Sequence, residues 1–196
     1  MVVSERLRCI FVHVQKTGGS SIEVALRQHD PSIPEKPHNA RRHLGARDVR
    51  ELVGHAAWDA SFKFGFVRNP WDRLVSWHSM CVQAPTPNAF GRHVKDHFAS
   101  FEDFVMKPDA MLARTTVPQV DYLAGPDGVP IVDFIGRYEA LHQDYAEVGR
   151  RLGIDGALPH ANRSAHRGYR DYFSDAMRDT VAARFARDIE RFGYTF

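Results

Sequence analysis

The chain has 196 residues, 43% hydrophobic and 26% charged, with a formal net charge of +2. That length suffices for one well-buried core and predicts a single domain over residues 1–196. So small a charge gives no whole-molecule field for nucleic acid, and no apolar stretch approaches membrane-spanning length, so neither partner is expected.

The opening MVVSERLR lacks the long apolar region of a signal peptide, which predicts a cytoplasmic protein. Leu7 to Val14 is apolar at nearly every position, as in a parallel strand buried on both faces. Gln15 to Ser21 (QKTGGSS) then interrupts it, and a helix is predicted from Ser20 to about Gln28, ended by Asp30-Pro31. A strand, a glycine turn and a helix N-terminus together aim backbone N–H groups and a partial positive dipole at one point. Lys16 adds a full charge, while Thr17, Ser20 and Ser21 add hydroxyls. The stretch reads as a phosphate cradle. It is not the Gly-Lys-Ser/Thr loop, because its lysine precedes its glycines.

Residues 31–42 carry three prolines and read as a loop. After His43, the sequence LGARDVRELVG has helical spacing with Gly54 as a C-cap. Phe62 to Val67 reads as a second strand closed by Arg68. Asn69 and Pro70 supply an N-cap and a first-turn proline for a helix that continues to just before Pro85. Ser76 lies two turns into that helix. Residues 85–118 show little pattern beyond a short capped helix at Ser100. Ile131 to Ile135 reads as a third apolar strand, Tyr138 to Leu152 as a helix stopped by Gly153, and Ser174 onward as a last helix. Strands alternating with helices indicate an α/β fold with a mainly parallel sheet. Cys9 and Cys81 fall inside predicted elements and read as buried free thiols.

Two cationic features at strand-to-helix junctions suggest a nucleotide with phosphates at two places. QKTGGSS followed by FVRNPWDRLVS is similar to the paired motifs of sulfotransferases that use 3′-phosphoadenosine-5′-phosphosulfate (PAPS). HLGARDVRELVG, DFIGRYEAL and FARDIERFGYTF extend the resemblance to sulfotransferase family 2, which includes carbohydrate sulfotransferases and bacterial relatives. Gln15 stands where that family usually has proline, and Gly45 where many members have Thr or Ser.

The resemblance implies a P-loop-NTPase-like parallel sheet flanked by helices, the sulfotransferase fold, with PAPS as co-substrate. It implies that Lys16, Thr17, Gly18, Gly19, Ser20 and Ser21 hold the 5′-phosphosulfate, that Arg68 and Ser76 hold the 3′-phosphate, and that Asn162, Arg163 and Ser164 lie in a loop closing over the nucleotide. Lys16 is then catalytic, stabilising the leaving phosphate. The family places a histidine or glutamate base between the two motifs, and His43 is the first candidate, with His55 and Glu23 in reserve. The acceptor is a hydroxyl on a small molecule or carbohydrate. His13 reads as a buried, hydrogen-bonded histidine and His78 as packed or facing the cleft. His93 and His97 read as surface histidines, and no metal is expected. A nucleotide kinase of related fold and a non-catalytic nucleotide-binding protein are the alternatives.

Overall fold

The computed structural model describes residues 1–35, 42–159 and 168–196. In chain order the elements are β1 (Val2–Ser4), β2 (Cys9–Val12), α1 (Gly19–His29), α2 (Ala46–Val53), α3 (His55–Asp59) and β3 (Phe62–Val67). There follow α4 (Pro70–Gln83), α5 (Ala89–His97), α6 (Phe101–Met106), α7 (Ala113–Thr116) and α8 (Gln119–Leu123). The last are β4 (Phe134–Arg137), α9 (Leu141–Leu152), α10 (Asp175–Arg184) and α11 (Ala186–Phe192). This is an α/β fold whose four-stranded sheet is accompanied by helices. No helix among the described residues is long and apolar enough to cross a membrane.

The chain packs as two compact units. The first joins Met1–Arg68 to the segment beginning at Gln119 and holds the sheet, in the order β1-β2-β3-β4. β2, β3 and β4 are parallel, so their carboxyl ends lie along one edge, where loops of α/β sheets gather ligands. β1 pairs antiparallel with β2 and makes the sheet mixed; three residues were too short a run to read as a strand. Cys9, Phe11, Phe64 and Phe66 pack with Ile22 and Leu26 of α1 and with Tyr145 and Val148 of α9 in one buried cluster. All four residues of β2 are buried, as its unbroken apolar run requires.

Where the structure departs from the sequence reading, backbone pairing explains it. The strand expected at Ile131–Ile135 is β4, Phe134–Arg137. Ile131 N–H donates to the Leu123 carbonyl within a turn, so the apolar run begins before the sheet ladder does. Helix α9 is preceded by a 3-10 turn over Tyr138–Ala140.

The second unit joins Asn69–Pro118 to the C-terminal segment ending at Phe196. Asn69 Oδ1 accepts from the N–H groups of Trp71 and Asp72, capping α4 as its sequence predicts. Ser100 caps α6 in the same way. Residues 85–118, where the sequence showed only the capped helix at Ser100, form α5, α6, a 3-10 turn and α7. The last helix is two, α10 and α11, broken at Phe185, whose backbone leaves helical geometry (φ −111°, ψ 27°). His78 packs against Phe101 and Phe104. His93 differs from a plain surface histidine: it bonds Asp109 at 2.9 Å and stacks on His97. Both cysteines are buried free thiols.

Candidate anion-binding and catalytic site

The cradle is a left-handed turn. Lys16 (φ 69°) and Gly18 (φ 82°) both have positive φ, and Gly18 is the N-cap of α1. A lysine in this region is strained, and such strain persists only where surrounding contacts fix it. Here they do. Buried Thr17 donates its hydroxyl to the Val14 carbonyl at 2.8 Å, bracing the turn from inside. The first turn of α1 contains no acidic side chain, so nothing there opposes an anion at the helix N-terminus.

Behind the cradle lies a buried polar network. His13 Nδ1 is 2.7 Å from Glu23 Oε1, and Arg42 Nη2 is 2.6 Å from Glu23 Oε2. Arg42 also donates to Ser20 Oγ at 3.0 Å. Burial raises the Glu23 pKa, but the hydrogen bonds from His13 and Arg42 and the Arg42 charge outweigh it and hold the carboxyl at about 2. An ionised Glu23 can only accept, so His13 Nδ1 carries the proton. Burial keeps His13 itself neutral, lowering its pKa against the opposing pull of Glu23.

His43 joins this network from the segment before α2. Its Nδ1 lies 2.9 Å from the His13 carbonyl, and the two rings meet edge-on at 4.6 Å. A carbonyl can only accept, so Nδ1 of His43 donates and Nε2 keeps the free electron pair. Burial, followed by proximity to His13, depresses its pKa to about 4. His43 is thus neutral at physiological pH with one nitrogen able to take a proton. Of the reserves, Glu23 is an ionised structural carboxylate, and the His55 side chain is 68% exposed beside Glu51.

The second motif reaches the first through Arg68, just past β3. The buried Arg68 side chain donates from Nη1 to the Lys16 carbonyl at 3.2 Å and lies 3.9 Å over the Tyr138 ring. The parallel register that pairs Val12 with Gly65 and Val67 with Arg137 brings these segments to one sheet edge.

The profile of the Sulfotransferase family matches residues 1–195. The chain belongs to the sulfotransferase family. It is also 32% identical over 127 residues to an uncharacterized protein of Archaeoglobus fulgidus, covering 62% of this chain and 93% of that one. No solved structure matches.

In this sulfotransferase-family chain the cradle residues Lys16, Thr17, Gly18, Gly19, Ser20 and Ser21, together with Arg68 and His43, all belong to the first unit. Ser76 belongs to the second, buried on α4. Arg163, with Asn162 and Ser164, lies outside the described residues. No group of metal ligands occurs among the described residues. Sequence reasoning missed Arg42, Tyr138 and Gln119. Arg42 is adjacent to His43, and Tyr138 follows a strand end, so both had a positional signal. Gln119 had none.

Proposed function

We propose that this chain transfers the sulfuryl group of PAPS to an acceptor hydroxyl, with residues 1–196 acting as one sulfotransferase domain. Family membership carries the coarse reading, sulfuryl transfer. The finer reading rests on one observation: the guanidinium of the second motif lies against the backbone of the first, 3.2 Å from the Lys16 carbonyl. A donor with phosphates at two places calls for two such cationic features close together. The residues present suit it, with a helix start free of acidic side chains and the cations Lys16 and Arg68 beside it.

In this reading Lys16 neutralises the charge that develops on the bridging and 5′-phosphate oxygens as the S–O bond breaks. The N–H groups at the start of α1, with Thr17, Gly18, Gly19, Ser20 and Ser21, hold the 5′-phosphosulfate. Arg68 holds the 3′-phosphate; the same role for Ser76, and nucleotide contact for Arg163, rest on the family motif alone. His43 takes the acceptor proton at Nε2, freeing the acceptor oxygen to bond sulfur while the electron pair of the broken bond leaves with the phosphate. An anion held at the cradle raises the basicity of His43 from its low starting point. Sulfuryl transfer of this form needs no metal, because the group carries less charge than a phosphoryl group. The acceptor class we favour is a carbohydrate hydroxyl, on the resemblance to family 2.

The test is a screen of labelled PAPS against glycans, phenols and lipids, beside thermal shifts with adenosine 3′,5′-bisphosphate and with ATP–Mg²⁺. Label on a glycan hydroxyl is expected. Stabilisation by ATP–Mg²⁺ but not by the bisphosphate overturns the reading in favour of a kinase. Bisphosphate binding without transfer to any acceptor overturns catalysis and leaves a nucleotide-binding protein.

A further inference from the structure

The side chain of Gln119, fully buried at the start of α8, pairs with both backbone groups of Arg68. Arg68 N–H donates to Gln119 Oε1 at 2.9 Å, and Gln119 Nε2 donates to the Arg68 carbonyl at 2.7 Å. The register explains the need. β2 runs alongside β3 only as far as Val12 opposite Gly65, so that ladder ends before Arg68. A carboxamide has the donor and acceptor of a peptide group, and here it stands in for a strand neighbour, satisfying a buried backbone that would otherwise be costly.

The same short helix touches the other motif. Tyr122, one turn after Gln119 and on the same face, places its hydroxyl 3.5 Å from Gln15 Oε1, next to Lys16. Leu123 closes over Gly65 of β3. From Gln119 the contacts run to the Arg68 backbone, along its side chain to the Lys16 carbonyl, and back through Gln15 to Tyr122.

We infer that Gln119 is a positioning residue that sets the direction of Arg68 and, through it, keeps the cradle backbone in register with the second anion-binding group. The inference deepens the PAPS reading and rests on it for the identity of the ligand. Gln119 does not contact the anion; it acts through Arg68.

The test uses Gln119→Met, which keeps the volume and removes both hydrogen bonds, and Gln119→Glu, which keeps the shape and an acceptor and, protonated by burial, offers an O–H donor in place of the amide. Two readouts are taken on the full chain. In amide NMR without ligand, Gln119→Met should lose exchange protection at Arg68 and shift the signals of Lys16 to Ser20. In calorimetry, affinity for adenosine 3′,5′-bisphosphate should fall by about tenfold in Gln119→Met, the scale of a lost hydrogen bond to a charged group, and by less in Gln119→Glu. In an Arg68→Ala background, Gln119→Met should cost no further affinity, which a purely structural role would not predict. Unshifted cradle signals in a folded Gln119→Met protein overturn the inference, as does a full affinity loss in the Arg68→Ala background. A wild-type protein that does not bind the bisphosphate counts against the PAPS reading, and the ligand-free NMR readout still decides the role of Gln119. If Gln119→Met does not fold, Gln119→Glu is read by the same two measurements.

Discussion

The imidazole of His13 occupies the space that a side chain on Gly19 would need: a Cβ there would stand 2.1 Å from His13 Nε2. The ring cannot easily retreat, because its Nδ1–H is committed to buried Glu23. The glycine in the cradle thus serves close packing of α1 onto the strand end. Gly19→Ala is expected to destabilise the fold by about 1–3 kcal/mol, the usual cost of overpacking a tight site, and to weaken anion binding. Chemical denaturation of Gly19→Ala, alone and combined with His13→Ala, checks this. The combined loss should be smaller than the sum of the single losses.

Lys16 has a backbone role and a charge role, and substitution can separate them. Lys16→Gly should change stability by less than about 1 kcal/mol, since relief at φ 69° offsets the greater chain entropy of glycine. Sulfate transfer should nevertheless be abolished. Lys16→Ala should lose transfer as well, with the fold kept but less stable than Lys16→Gly. Turnover by either variant would remove Lys16 from the catalytic role.

Arg68→Ala should weaken binding of adenosine 3′,5′-bisphosphate by about 1.5–3 kcal/mol, the range for a charged hydrogen bond. The binding enthalpy and affinity by calorimetry give the answer directly. Because its guanidinium also donates to the Lys16 carbonyl, the loss should include disturbed contacts at the 5′-phosphate. An unchanged affinity counts against the second anion-binding group.

His43→Ala should retain bisphosphate affinity and lose turnover, as expected of a group that takes the acceptor proton and leaves the donor in place. Full activity in this variant excludes the base role. His55→Ala should leave turnover unchanged, in keeping with the exposed position of that side chain.

Stability should fall with acid in two windows. His43 has a folded pKa of about 4 against an ordinary 6.5, so between these values the unfolded chain binds the extra proton and stability declines as pH drops. Glu23 has a folded pKa of about 2 against 4.5, so its contribution is present above pH 4.5 and is lost as pH falls toward 2. Thermal denaturation across pH should show His43→Gln making the upper window shallower, with buried His13 and the N-terminal amine accounting for what remains, and Glu23→Gln making the lower one shallower. A wild-type Tm constant from pH 6.5 to 4 would contradict the upper assignment.

What the sequence determined by itself was local. An unbroken apolar run announced β2, the Asn69-Pro70 pair announced the start of α4, and Ser100 announced α6, because strand burial and helix capping are written within a few neighbouring residues. The QKTGGSS turn was legible for the same reason, and the paired motifs carried the family. The tertiary structure decided the rest. Gln119 meets Arg68 across 51 residues of chain, and His43 meets the His13 backbone across 30. Neither contact leaves a periodicity or a spacing to read. The ordinary carboxylate and imidazole pKa values of Glu23 and His43 likewise change only when packing removes water and supplies partners, and so their chemistry belongs to the fold.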